Sequence, residues 1–551
     1  MAVPYLRTQV GPDPHRWTTF GERTTVLVIA RTFTSTVKAL EALAAFRGDP
    51  RVLVIVTVDD TSAFNAGTEA LLRAADMCLL PWEEATALPV DLVLTASENV
   101  DLSPFTAPVA VLPHGIGFQK YVPDSESGAV RLAGVVREEF TEWSNVHMVI
   151  SHPAQREQLR SAHPALAERA AVVGDPTHDR LRAARRLRHH YRQRFGLGPE
   201  QRLVVLTSTW GEESLIGTQP TLPATLLREL PRDRYRVAAV LHPNVWYSDS
   251  PWTVRAVLAD AVDAGLALVP PDEGWGAALV AADCVIGDHG SVTVYGAALD
   301  RPVLLGAFGD EAVGGTAVDR LAHHAPRLGS GDGIRERVEA ALSQHRPGRY
   351  TSVADLAFTH VDRAGRRLTE FLYRLLELSP PSRNGATRVL PPASPEYTPP
   401  ASFEVRTRCT APGVVHVERF PAAVAGPGSV APAEVRHLAA EETEPVDAIV
   451  RSASVITGPC HQDPGSARQW AAAALDRYPG CLIAATRSGS GHHLAVRDRG
   501  HLRVRTDGTP DAGLPAALVY ALLLHGQQRP AGPHTLHAGG DTWRCSIEPD
   551  S

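Results

Sequence analysis

Two histidines in this chain end apolar runs and stand beside turn-forming residues. His114 sits in Leu112-Pro113-His114-Gly115-Ile116-Gly117, with Lys120 just after it, and His242 sits in Leu241-His242-Pro243-Asn244. An imidazole titrating near neutrality can take or give a proton, and a neutral one can donate to a phosphate oxygen. A third stretch, Gly287-Asp288-His289-Gly290-Ser291, joins a short apolar run at 284–286 to a helix-like segment. A strand-to-helix turn of this kind presents backbone N–H groups at the positive end of a helix dipole, where phosphate or pyrophosphate binds. Asp288 and Ser291 are expected to cap the first helical turn. Each stretch alone also fits a plainer reading: a surface turn at His114, a structural histidine at His242, an ordinary capped helix at Ser291.

Two further segments carry polar groups beyond apolar runs. Thr209 and Trp210 follow the run at 201–208, and Asp179 lies in Gly174-Asp175-Pro176-Thr177-His178-Asp179. The second segment is either part of a cleft floor or only a connecting turn. Neither half of the first 378 residues holds a P-loop or a D-x-D metal motif. Charge on a leaving phosphate would therefore fall to helix dipoles, backbone N–H groups and side chains, with no metal or cofactor expected.

The elements that must position these residues are legible from hydrophobic patterning. Strands are predicted at 25–30, 51–58, 91–96, 108–112, 146–150 and 170–173, with helices at 34–46 and 154–162. The pattern restarts with strands at 201–208, 235–241, 267–270, 284–286 and 301–305 and helices at 224–230, 253–264, 275–282, 334–345 and 358–378. Unbroken apolar strands alternating with helices predict parallel sheets covered on both faces. The expected fold is α/β: two Rossmann-like domains facing across a cleft, plus a C-terminal α+β domain. Such sheets bind ligands beyond the carboxyl ends of their strands. The predicted divisions are an N-terminal extension (1–23), an acceptor domain (24–180), a basic interdomain helix (181–200), a nucleotide-donor domain (201–378), a Pro-rich linker (379–401) and an accessory domain (402–551). In the last, 492–504 reads as a hairpin and 514–525 as a buried helix; no catalytic motif appears there, so a protein-binding or accessory role is expected.

Length, charge and cysteine usage bound the function. A chain of 551 residues holds about three or four domains. The net charge of −7 gives no bulk attraction to nucleic acid, and none is expected as a partner. The strongly basic run at 179–194 is either a solvated interdomain helix or a contact for anionic lipid. No apolar run reaches the length of a membrane span. The first residues, MAVPYLRTQVGPDPHRW, lack the apolar core of a signal peptide, so the expected location is cytoplasmic, with a position at the inner membrane face as the alternative. Six scattered cysteines without C-x-x-C are expected to be reduced and buried.

Taken in order, H-G…K, G-x-P-x-x-D, a strand ending in Thr-x-Trp, L-H-P, and A-D-x-x-I-x-D-x-x-S-V…P-V resemble the CDP-glycerol glycerophosphotransferases, the teichoic-acid polymerase family. The resemblance covers about residues 90–310 by motif and 24–378 by architecture, and implies the two-domain GT-B fold. It implies that His114 is the general base on the acceptor hydroxyl and that His242 contacts the donor phosphates. It places Thr209, Trp210, Asp288, His289, Gly290 and Ser291 at the donor, and Lys120 and Asp179 at acceptor or phosphate. The implied partners are a nucleotide-diphosphate donor, such as CDP-glycerol or a UDP-sugar, and a polymer or lipid-linked acceptor. Ile116-Gly117 stand where the family has Thr-Pro, and His289-Gly290 where it has Tyr-Ser. A nucleotide-sugar glycosyltransferase or epimerase of the same fold, and a catalytically silent scaffold, are the alternatives.

Overall fold

Unbroken apolar runs become buried parallel strands. The computed structural model describes residues 23–550, apart from 63–64, 124–129, 249, 330, 332, 383–386, 427–433, 490 and 528; of the N-terminal extension, 1–22 lie outside the described residues. The first sheet comprises β1 (Thr24–Ala30), β2 (Val52–Val58), β3 (Leu79–Leu80), β4 (Leu92–Thr95), β5 (Val109–Val111), β6 (Val146–Ile150) and β7 (Ala171–Val172). Its order is β3-β2-β1-β4-β5-β6-β7, all parallel. The second comprises β8 (Arg202–Ser208), β9 (Tyr235–Leu241), β10 (Ala267–Val269), β11 (Cys284–Gly287) and β12 (Val303–Leu305), in the order β10-β9-β8-β11-β12, also parallel. Both are doubly wound, and the order reverses between β1 and β4 and between β8 and β11. Crevices open at such reversals.

Most predicted elements appear within a residue or two of their expected ends. The helix expected over 358–378 does not. One helix, Thr351–Ala357, ends just before that range, and the helix within it, Ala364–Leu375, starts six residues late. Left-handed backbone at His360 and Asp362 breaks the path between them. The second helix then leaves the donor domain and packs its Leu368, Phe371 and Leu372 into the core of the first sheet. Tyr373 anchors it by donating to Asp49 at 2.8 Å.

The basic interdomain helix is really two, Pro176–Ala184 and Arg188–Arg194, joined by a short 3-10 turn. Its charge is largely answered within the chain. Arg188 and Arg192 each lie 2.6 Å from Asp283, and Arg180 lies 2.6 Å from Glu41. The Pro-rich linker is docked. Leu390 and Ala393 are buried in the donor-domain core, and Glu396 exchanges two backbone hydrogen bonds with Leu268 on the edge strand β10. An added strand residue there covers an otherwise open sheet edge.

The C-terminal region is not the expected α+β domain. Nine strands close into a barrel: β13 (Ser402–Ala411), β14 (Val414–Pro421), β15 (Glu434–Glu441), β16 (Val455–Thr457), β17 (Ile483–Ser488), β18 (Gly491–Val496), β19 (Gly500–Thr506), β20 (Gly532–Ala538) and β21 (Asp541–Pro549). Around the barrel they run β13-β14-β20-β21-β19-β18-β17-β16-β15. The expected hairpin is β18–β19, and the expected buried helix, Gly513–Leu524, packs against strands on several sides of the barrel. Closure depends on β14 pairing with β20, far apart in the chain. Local periodicity carries no trace of that pairing.

One buried cation fastens barrel to donor domain. Arg419 on β14 is 6% exposed and donates to Asp233 at 3.0 Å and Asp511 at 2.7 Å. Arg419→Met leaves two carboxylates without their countercharge and should lower unfolding stability by about 3 kcal/mol, read by urea denaturation. An unchanged midpoint would show that this ion pair does not hold the barrel to the second α/β domain.

Candidate active site

The carboxyl ends of both sheets face one cavity of about 190 Å3. The first domain lines it with Lys38, His114 and Lys120, and the second with Thr209, Trp210, His242 and the 288–295 turn. His114 follows β5, Thr209 follows β8, His242 follows β9 and Asp288 follows β11. Strand ends thus bring together groups up to 177 positions apart in the chain (His114 to Ser291).

His114 is the most accessible of the four, with a side chain 41% exposed. Its Nδ1 lies 3.6 Å from the buried Glu98 carboxylate, within ion-pair range but longer than a hydrogen bond. A carboxylate behind Nδ1 leaves Nε2 as the nitrogen available to an incoming hydroxyl. His242 is built differently. It caps the Pro243–Tyr247 helix, and its Nδ1 accepts the Asn244 N–H at 3.1 Å. Burial pushes its pKa down to about 3, and the neighbouring His114 and Lys120 charges press in the same direction. The ring is therefore neutral with Nδ1 as acceptor, so its proton sits on Nε2. His242 is an uncharged hydrogen-bond donor rather than a base.

Asp288 is fully buried, and its carboxylate is already satisfied. It accepts N–H bonds from Thr209 (2.8 Å), Leu215 (2.9 Å) and Gly290 (2.9 Å). Burial raises its pKa and these amides oppose the rise. It therefore pins the loops after β8 and β11 together, and it neither caps the helix nor reaches a ligand. Gly290 is the N-cap of the Ser291–Ala298 helix and offers no side-chain acceptor. The first amides of that helix thus keep the anion-receiving character expected of them. Ser291 Oγ instead accepts the Ile116 N–H across the cleft at 3.4 Å. A Cβ on Gly115 would come within 2.8 Å of that oxygen, so only glycine permits the approach.

Two expected ligand-binding side chains are committed elsewhere. His289 is 3% exposed; its Nδ1 accepts the Gly309 N–H at 3.1 Å and its Nε2 lies 2.6 Å from Glu311 Oε1. It positions Glu311 and has no free nitrogen for a donor. Asp179 is absent from the cavity wall. Buried, it accepts the Asp362 N–H at 2.6 Å and the Ala364 N–H at 2.8 Å, holding the start of the Ala364–Leu375 helix. The 174–179 segment is the connecting turn of the two readings: Asp175 caps the Pro176–Ala184 helix and accepts from the Tyr295 hydroxyl. Lys120 lies on the cavity wall as expected, 3.1 Å from Glu311 and 5.0 Å from the Trp210 ring centre.

Sequence reasoning missed Glu98 and Glu311. Glu98 stands three residues beyond β4, and a systematic reading of strand ends would have found it. Glu311 lies in the loop after β12 with no local pattern, and only the fold brings it to Lys120. Of the six cysteines, all without disulfides, Cys78 and Cys460 are exposed rather than buried.

No protein-family model matches this chain, and neither does any curated protein. Among solved structures, the chain is similar to the wall teichoic acid polymerase TagF, at 13% identity over 64% of this chain and 89% of that one, with a TM-score of 0.43. It is similar to a glycosyltransferase from Rickettsia africae ESF-5, at 11% identity over 65% and 100%, with a TM-score of 0.38. It is also similar to S. aureus MnaA in complex with UDP, at 13% identity over 65% and 98%, with a TM-score of 0.42. Overlaps this loose fix neither donor nor reaction.

Three imidazoles titrate well below their usual value near 6.5: His178 at about 4, and His242 and His437 at about 3, each held down first by burial. Below pH 6.5 the unfolded chain therefore binds more protons than the folded one, and stability falls as pH drops from there toward 4. Urea midpoints should be lower at pH 5 than at pH 7.5, and His242→Gln should flatten that slope. An identical slope in the variant would contradict a neutral His242.

Proposed function

We propose that this protein transfers a polyol-phosphate or sugar group from a nucleotide-diphosphate donor to a hydroxyl of a cell-envelope polymer or lipid-linked acceptor. One observation carries the reading: His114 and His242 converge on one cavity between two doubly wound domains, one placed as a base and the other as a neutral donor. For a CDP-glycerol-type donor, His114 Nε2 takes the acceptor hydroxyl's proton, and the Glu98 carboxylate stabilises the resulting imidazolium. The oxygen attacks phosphorus, the phosphorus–oxygen bond to the nucleotide breaks, and a nucleoside monophosphate leaves. The Nε2–H of His242, the Lys120 ammonium and the first amides of the Ser291–Ala298 helix receive its charge.

Among the described residues lining the cavity there is no arginine; Lys38 is paired with Glu41, and Lys120 with Glu311 beside the cavity. That weak positive field favours, as a second reading, a nucleotide-binding scaffold without turnover. At about 190 Å3 the cavity is also smaller than the ~300–1,000 Å3 of typical ligand sites, so a whole nucleotide enters only when the domains part.

Release of CMP from CDP-glycerol and of UDP from UDP-sugars, each with candidate acceptors, tests the reading. His114→Ala should lower turnover at least ~100-fold, the lower end of general acid–base contributions, with little change in melting temperature. His242→Ala should lose donor binding as well as turnover, at about 1 kcal/mol of stability for the lost helix cap. Wild-type rates in both variants would refute transfer at this site. Nucleotide binding by wild type without release of product would leave the scaffold.

A further inference from the structure

The loop after β12, Gly306 to Thr316, crosses from the donor domain to the acceptor domain and zips onto the segment that carries Lys120. Tyr121 donates its N–H to Glu311 O at 2.7 Å, and Val313 donates its N–H to Gln119 O at 3.0 Å, an isolated antiparallel bridge between domains. Gln119 adds a third link, its Oε1 accepting the Val318 N–H at 3.2 Å. The side chains cross here too: Glu311 Oε1 lies 3.1 Å from Lys120 Nζ and 2.6 Å from His289 Nε2. Glycines 309, 314 and 315 bracket the bridge, and Gly315 adopts a left-handed φ of 75°. Three hydrogen bonds and one half-buried ion pair are a small set of contacts for this loop to set against the motion of whole domains. The loop has the makings of a latch rather than a weld.

The ligand side of the same pair matters equally. Lys120 is one of two lysines on the cavity wall, and its ammonium lies against the Trp210 ring, where an arriving anion would meet it. A carboxylate already holds it. We propose that Glu311 is an internal stand-in for a ligand phosphate: it occupies Lys120 and latches the cleft shut, and an anion that takes Lys120 from it releases the latch. Glu311 thereby sets a charge threshold. Neutral sugars and nucleosides leave the latch closed, whereas a diphosphate brings enough charge to displace the carboxylate, and the domains part to admit the nucleotide. His289 holds the released carboxylate on the donor side, so the latch can re-form when the product leaves. The latch stands on geometry alone; the identity of its trigger rests on the phosphate reading of the cavity.

Amide hydrogen exchange on the full chain, with inorganic pyrophosphate as probe, tests this. Glu311→Gln should speed exchange at the Tyr121 and Val313 amides at least ~10-fold without ligand, and should bind pyrophosphate several-fold more tightly than wild type. Lys120→Met should free the same amides while losing pyrophosphate binding. In wild type, saturating pyrophosphate should speed those two amides and slow the amides at 290–292. Equal exchange at Tyr121 and Val313 in wild type and both variants overturns the latch. Faster exchange in Glu311→Gln with unchanged pyrophosphate affinity overturns competition for Lys120. Failure of both wild type and Glu311→Gln to bind pyrophosphate overturns the phosphate trigger and the phosphate reading of the cavity, while the ligand-free exchange comparison still decides the latch itself.

Discussion

A carboxylate with no access to solvent organises the second domain's side of this cleft. Asp288 accepts backbone N–H groups from Thr209 and Leu215 on one loop and Gly290 on its own. A buried charge is tolerable only when it is fully hydrogen-bonded, and here the groups that satisfy it are the loops that must be aligned. The side chain that looks most like a ligand contact in the sequence is therefore the fastener. It leaves the helix that begins at Ser291 without a side-chain cap, and so leaves its first amides for an anion. The same logic recurs in the 174–179 segment, where Asp179 and Asp175 accept from the amides at helix starts.

This division between fasteners and working groups explains the pattern of hits and misses. Both sheets were legible because buried parallel strands must be continuously apolar, and Val26–Ala30 and Val204–Leu206 are fully buried. His114 and His242 were legible because strand ends in such sheets face the crevice. The partners of Asp179 and His289 were not legible, because residue type and position cannot reveal whether a polar group is satisfied by amides from remote segments such as 309 and 362–364. The barrel was illegible for a related reason. Its strands alternate ordinarily, and closure arises from pairing between Val414–Pro421 and Gly532–Ala538. The return of the Ala364–Leu375 helix to the first domain likewise depends on its packing partners, not its own pattern.

The two histidines are not equivalent, and the difference has a physical origin. The Glu98 carboxylate stands 3.6 Å behind His114 Nδ1, while burial and the nearby cations keep His242 neutral. Around them the cavity is electrically lean, with its lysines answered by carboxylates. On the proposed reading, a diphosphate would be held by oriented amides and would have to displace an internal carboxylate from Lys120.

The central claim is that His114, His242 and the Ser291 amide act on one bound diphosphate. A crystal structure of the chain with a cytidine or uridine diphosphate compound tests it most directly. The account predicts phosphate oxygens within hydrogen-bond distance of His242 Nε2 and the Ser291 amide, with His114 facing the phosphorus from the acceptor side. A nucleotide seated elsewhere, or with its phosphates remote from both imidazoles, would contradict it.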